Sequence, residues 1–268
     1  MATEKAQKYI DILIGLEPAF KTAGELALKM RGSAGSKNKH NTGIAGIDIV
    51  TEADTAVQEF ILSEMAKTKL VECELIAEED TDSVKKFKGA NGLVLTLDPI
   101  DGTIFYASTG RFFSTIVCLH DGKKMLYTFC NYPVVNFSRR IANGKVKDFG
   151  ELPEINIIKE KRDFSKTIFY TNKDLQKIDS DIFKKLISQG YDFCKVFDIT
   201  DEAGSCTFLF SGKSGGYYTE TPNPYDGLVA LHYAKTKKFK IYGDVDISKY
   251  EIGDHGPHYQ GWYLVLKR

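Results

Sequence analysis

Residues 93 to 110 read LVLTLDPIDGTIFYASTG, and the reading of this stretch decides the fold. An apolar run ends in two aspartates, Asp98 and Asp101, wrapped around a proline, a glycine and a threonine. Local turn chemistry explains part of it, since proline presets φ, aspartate caps nearby backbone and glycine takes the left-handed position. An apolar strand such as GLVLTL (92–97) is an interior strand, however, and carboxylates at its end sit where ligand crevices form in layered sheets.

Working outward, two further acidic groups stand at element boundaries. Upstream, Glu78, Glu79 and Asp80 follow the short apolar run ELIA (74–77) directly, and DIVTEAD (48–54) places Asp48, Thr51 and Asp54 at the mouth of a helix. Taken singly, the first reads as a solvated turn and the second as a capping arrangement. Taken together, carboxylates gathered at adjacent strand ends repel one another, and a hard divalent cation is the simplest remedy. Oxygen-only ligands favour Mg²⁺, Mn²⁺ or Ca²⁺ over zinc. An EF-hand needs acidic residues at alternate positions before its glycine, which this spacing does not supply. The dehalogenase-type phosphatase motif, Asp-x-Asp-Gly-Thr with the first aspartate as nucleophile, is a nearer rival, but here one residue too many separates Asp98 from Asp101.

Bulk properties frame these motifs. The chain has 268 residues, with 43% apolar and 27% charged, ordinary for a soluble globular protein. Lys+Arg and Asp+Glu both number 36, so the balanced charge gives no general reason to bind nucleic acid or an anionic membrane. No signal peptide or membrane-length apolar run is read. The odd, scattered cysteines (Cys73, Cys118, Cys130, Cys194, Cys206) read as free thiols of a reducing cytoplasm. The histidines need no catalytic role.

Along the chain, a helix over about 9–30 is expected to kink or split at Pro18. A Gly/Ser/Asn/Lys loop (31–46) carries Lys37 and Lys39, and a helix follows through Val57, Phe60, Ile61 and Met65. Strands with hairpin signals at Asp121-Gly122 and Asn143-Gly144 fill 112–149. The second half alternates TIFYTN, a helix near 174–188, YDFCKVFDI, a helix from about 201, GGYYTE, a helix from about 225 and the closing strand GWYLVLK. This order predicts an α/β protein of mixed sheets covered by helices. No linker divides it, so 1–268 reads as one domain with two closely packed lobes, at roughly 1–150 and 151–268.

AEED, LDPIDGT twenty residues later, DIVTEAD upstream and YD at 225–226 together resemble the inositol monophosphatase family, within the superfamily of fructose-1,6-bisphosphatases and bisphosphate nucleotidases. The resemblance implies a layered αβαβα sandwich, a homodimer, and hydrolysis of phosphate monoesters with two or three Mg²⁺ ions, Mn²⁺ substituting and Li⁺ inhibiting. It assigns Glu78, Asp98 and the Ile100 carbonyl to one metal and Asp98, Asp101 and Asp226 to a second, with Glu79 supporting. Asp48 and Thr51 would hold the water network and a third, weaker metal, while Glu78 and Thr103 orient the attacking water. Gly102 and Thr103 would offer N–H groups to phosphate, and Asp101, Asp226, Gly204 and Ser205 would line the substrate site. A polar contact to the substrate falls at Thr219 or Glu220.

The implied substrate is a small phosphorylated polyol, sugar or nucleotide, with no polymer or membrane partner. A catalytically quiet relative that binds metal and phosphate ligand is the other reading. The pattern departs from the family where Tyr225 replaces tryptophan, where Leu228 and Val229 replace small residues, and throughout TKKFKIYGDVDISKYEIGDHGPHYQG (236–261).

Overall fold

The computed structural model describes residues 4–31, 36–38, 49–108, 110–158, 163–171, 175–220, 222–253 and 256–267. Helix α1 (Glu4–Met30) buries Tyr9, Leu13, Phe20, Ala23 and Ala27 along one face. Contrary to the expectation from its ring, Pro18 lies inside this helix without dividing it. Pro18 itself is exposed, and the buried stripe continues on both sides of it, through Leu13 before and Phe20 after. After the short pair β1 (Ser36–Asn38) and β2 (Ile49–Thr51) comes α2 (Glu52–Met65). Lys39, Asp48 and most of the predicted 31–46 loop lie outside the described residues.

Strands β3 (Glu74–Ala77) and β4 (Val94–Asp101) pair in parallel. The short helix α3 (Thr103–Ala107) leads into an antiparallel meander of β5 (Ser114–His120), β6 (Met125–Tyr132), β7 (Phe137–Ala142) and β8 (Lys145–Phe149). Asn143 and Gly144 both take positive φ (53° and 70°), as a two-residue hairpin requires. These six strands form one sheet in the order β3-β4-β5-β6-β7-β8.

The second half supplies β9 (Thr167–Tyr170), α4 (Ser180–Ser188), β10 (Asp192–Lys195), α5 (Ser205–Ser211), β11 (Gly216–Glu220) and α6 (Val229–Lys237). Then follow β12 (Lys240–Gly243), a hairpin of β13 (Tyr250–Gly253) and β14 (Gly256–Tyr259), and β15 (Trp262–Leu266). The second sheet runs β10-β9-β11-β15-β12. Strand β12 and the hairpin were not anticipated from the sequence, because 236–261 alternates charged and small residues with few apolar runs.

Three apolar clusters define the layers. Leu95, Leu97, Val117 and Phe129 on one face of the first sheet pack with the buried stripes of α1 and α2. The opposite face, with Ile116, Cys118 and Cys130, shares a second cluster with Phe208 of α5, Leu231 of α6, and Phe169 and Val265 of the second sheet. Leu186 of α4 covers the far side of that sheet against Ile168 and Leu264. The order is therefore α1/α2, first sheet, α5/α6, second sheet, α4: the αβαβα sandwich. Phe169 and Phe208 stack at 4.4 Å in its middle, a contact of about 1 kcal/mol beyond area burial. No helix among the described residues is long and apolar enough to cross a membrane.

Candidate active site

The sequence expectation ended the interior strand at 97, but β4 runs on through Asp101 and takes the motif into the sheet. Residues three apart in a regular strand point to opposite faces. Here the ladder to β5 shifts: Asp98 lies opposite Ile116 and Asp101 opposite Ser114, so three residues of β4 span two of β5. Ile116 and Ser114 share a face, and the bulge therefore turns both carboxylates to that face, toward the central helices. Gly102 then ends the strand in the left-handed region (φ 78°), where a Cβ would also meet Phe105 at 2.7 Å. Helix α3 starts at Thr103, whose hydroxyl donates to the Ile100 carbonyl at 3.2 Å.

Asp226 arrives from the second half by a different device. Asn223 Oδ1 accepts the N–H groups of Tyr225 (2.9 Å) and Asp226 (3.0 Å), tightening the turn just before α6. A Cβ on Gly227 would lie 2.5 Å from the Asn223 carbonyl, so the turn closes only around glycine there. One oxygen from each of Asp98, Asp101 and Asp226 falls within 4.8 Å of the others.

Asp98 is 5% exposed, and its Oδ1 has no hydrogen-bond partner among the described residues. Burial, then the charges of Glu78, Asp101 and Asp226, push its carboxyl well above the usual range. Burial raises Asp101 against the pull of a 2.8 Å hydrogen bond from Ser114. Asp226 is pushed up to about 8, by burial and then by Asp101. A buried carboxylate cluster with an orphaned oxygen fits a hard divalent metal: bound charge would offset the repulsion and occupy the orphan.

Glu78 and Glu79 enter the same cavity, of about 640 Å³, as Asp98, Ile100, Asp101, Gly102, Thr103 and Asp226. Gly204 and Ser205, at the start of α5, line it too, and Ser205 shares a 2.8 Å hydroxyl contact with Thr171. Tyr225 stands in the wall, its hydroxyl pKa raised by burial and by the charges of Glu78, Asp98 and Glu79. Cys206 also lines the cavity, but burial pushes its thiol far up, which removes it as a nucleophile. Thr51 ends β2 just before α2. Asp48 lies outside the described residues.

Glu220 is not among the lining residues. Strand alternation turns Tyr217 into the cavity and Tyr218 to the opposite, α4-covered face; Glu220 follows Tyr218 and accepts its hydroxyl at 3.2 Å.

Several supporting residues escaped sequence reasoning. Gln58 of α2, fully buried, donates to the Glu79 carbonyl (2.6 Å) and accepts its N–H (3.0 Å), fixing the acidic turn from behind. Arg31 donates to the carbonyls of Phe105 (2.9 Å), Tyr106 (3.0 Å) and Gly110 (2.6 Å), tying the end of α3 to the end of α1. Their signals were a lone amide on the apolar face of α2 and a lone arginine after α1, each too common to single out.

A sequence profile of the inositol monophosphatase family matches residues 11–230. The chain belongs to the inositol monophosphatase family. The members are generally phosphatases that use divalent metals, and with this assignment the dehalogenase-type reading of Asp98 loses its support. No curated protein matches the chain by sequence. Among solved structures, inositol monophosphatase (IMPase) from Thermotoga maritima superposes with a TM-score of 0.63 at 18% identity, over 95% of this chain and 92% of that one. Staphylococcal IMPase-I, solved with products, gives 0.61 at 17% identity, over 100% and 92%. An IMPase/NADP phosphatase solved with Mg²⁺ and phosphate gives 0.62 at 15%, over 99% and 92%. At such identities the likeness carries the fold.

Proposed function

We propose that the protein is a Mg²⁺-dependent phosphomonoesterase acting on a small phosphorylated polyol, sugar or nucleotide, with the whole chain forming one catalytic unit. The observation that carries this reading is the convergence of Asp98 and Asp101 from the first half with Asp226 from the second, around an unpartnered buried oxygen. Glu78, Asp98 and the Ile100 carbonyl would hold one ion, and Asp98, Asp101 and Asp226 another, with Glu79 in support. Bound divalent metal would supply Lewis acidity that activates water and neutralises phosphate charge.

The remaining work falls to the chain itself. Glu78 and Thr103 orient the attacking water, the threonine hydroxyl being held beside the Ile100 carbonyl. Backbone N–H groups of Gly102 and Thr103 hold phosphate oxygens, and Gly204 and Ser205 border the leaving group. Phosphoryl transfer asks mainly for such positioning and charge stabilisation, so no protein nucleophile is needed. A cytoplasmic homodimer is the setting proposed.

The test is phosphate release from inositol 1-phosphate, fructose 1,6-bisphosphate, 3′-phosphoadenosine 5′-phosphate and histidinol phosphate, with Mg²⁺ and with EDTA. Turnover of at least one ester that EDTA stops and Asp101→Asn abolishes is the expected result. Mg²⁺ binding without turnover of any ester would favour a quiet metal- and phosphate-binding relative.

A further inference from the structure

The hairpin β13–β14 lies beyond residues 11–230, the span matched to the family, yet it reaches the active-site cavity, where Gly256 and Pro257 form part of the wall beside Tyr225. Its base is fixed to both halves of the fold. The Tyr259 hydroxyl contacts His120 Nε2 at 3.0 Å, and the Tyr259 N–H donates to the Pro222 carbonyl at 2.9 Å, in the segment that carries Asp226. His120 Nδ1 accepts the Gly122 N–H at 3.1 Å, which leaves Nε2 of the neutral ring to donate to Tyr259.

The tip is different in character. Ile252 is 82% exposed and stands directly opposite Pro257 in the hairpin register. Paired antiparallel residues share a face, so Ile252 stands on the same side of the hairpin as the wall residue Pro257, outside the cavity lining itself and open to solvent at its rim. Elsewhere in the same cavity Phe105 and Phe197 present a ring pair with centroids 5.7 Å apart. On the phosphatase reading, phosphate would occupy only the end of this cavity where the carboxylates would hold metal. About 640 Å³ is a space of the size that holds a whole ring-bearing ligand.

We infer that β13–β14 is the leaving-group wall of this enzyme, and that Ile252 and Pro257 select phosphate monoesters whose leaving group carries an apolar or aromatic ring face over fully hydroxylated polyol esters. The inference rests on the phosphatase reading above and names its substrate class. Contact with an isoleucine on an open rim gives less discrimination than an enclosed pocket, for which 10- to 200-fold is typical, so an effect of about threefold to tenfold is expected.

Two readouts test it on the full chain with added Mg²⁺. The first is the ratio of kcat/KM for phenyl phosphate to that for glycerol 2-phosphate. The second is the calorimetric affinity ratio of phenylphosphonate to methylphosphonate, neither of which is hydrolysed. Ile252→Ser, at an exposed position that spares the core, lowers both ratios by about threefold to tenfold, and Tyr259→Phe, which loosens the base of the hairpin, lowers them less. Turnover with ratios unchanged by Ile252→Ser overturns the wall and leaves the phosphatase reading intact. Absent turnover with a phosphonate ratio that still falls in Ile252→Ser overturns the phosphatase reading and keeps the wall. Neither turnover nor phosphonate binding overturns both.

Discussion

Asp98 and Asp101 reach the site inside a sheet, with β3 on one side of their strand and β5 on the other, and a bulge that turns both to one face. Asp226 reaches the same point on a short turn whose shape depends on one asparagine side chain and one glycine. In the first region many ladder hydrogen bonds share the task of positioning. In the second, the two bonds to Asn223 Oδ1 are joined by the Tyr263 hydroxyl on the Gly227 carbonyl and the Tyr259 N–H on the Pro222 carbonyl, a handful of contacts in place of a ladder. The first region can lose a single support and hold its geometry; the second has fewer to lose, and Asn223 supplies two of them.

The most severe way to break this pairing is to remove the shared carboxylate. Asp98→Asn is expected to lower Mg²⁺-dependent phosphate release by more than about a thousandfold, a loss of at least about 4 kcal/mol of transition-state stabilisation. The same change relieves like-charge repulsion in metal-free protein, so its melting temperature rises by about 2–4 °C per kcal/mol recovered while the stabilisation by Mg²⁺ disappears. Calorimetric scans with Mg²⁺ and with EDTA read both effects, and a lower melting temperature in EDTA would contradict the repulsion argument.

The comparison itself is tested by two truncations to alanine. Asn223→Ala removes the cap of the Asp226 turn and is expected to weaken Mg²⁺ binding and turnover by about 10- to 100-fold, the usual size of an outer-layer loss at a metal site. Ser114→Ala removes a bond to Asp101, but β4 keeps its ladder, so the expected loss is tenfold or less. Equal losses in the two variants, read by Mg²⁺ titration and kcat, would end the distinction between a carboxylate held by a sheet and one held by a turn.

Where the two regions meet, buried histidines give the smallest effect. His120 contacts Tyr259 of the hairpin, and His232 of α6 contacts Thr128 of β6 at 2.8 Å. Burial lowers their pKa values to about 4 and about 3. The folded rings therefore stay neutral while those of the unfolded chain take up protons below about pH 6.5, and stability falls as pH drops from there toward 4. Each contributes a loss of about 0.7 kcal/mol between pH 7 and pH 6. Urea unfolding at the two pH values should show that loss reduced by this amount in His120→Asn, and an unchanged loss would exclude His120 as its source.

The layered fold was legible because period and turn chemistry agreed along most of the chain: ELIA is β3 as read, Asn143-Gly144 is the turn expected, and the helix through Val57 and Ile61 is α2. The site was legible in residue types and only partly in placement. Three-residue spacing of Asp98 and Asp101 gives no sign of a bulge, since that depends on which residues of β5 pair with them. Ser114 was visible beside Thr115 as part of a polar pair in FFSTIV, and Asn223 as an Asn-Pro turn signal, yet nothing local says which carboxylate each serves. Between Thr219 and Glu220 one residue decides the face, and strand parity puts Glu220 with Tyr218 on the side away from the cavity. The hairpin was missed because each strand is four residues long, with Tyr250 and Ile252 alternating on one and Pro257 and Tyr259 on the other, too short a pattern to register.

Strand β15 has a consequence for how this molecule is made. It lies between β11 and β12, both of which precede it in the chain. As the ribosome delivers the polypeptide, β11 can join β9, but β12 has no neighbour until Trp262–Leu266 emerge. Until then Tyr217, Ile241 and the flanks of α5 and α6 lack the cover that Tyr263 and Val265 provide. From the emergence of β11 until β15 follows it, the nascent protein thus carries an open sheet edge and a half-covered core, the state in which aggregation competes best with folding. Closure waits on these five residues.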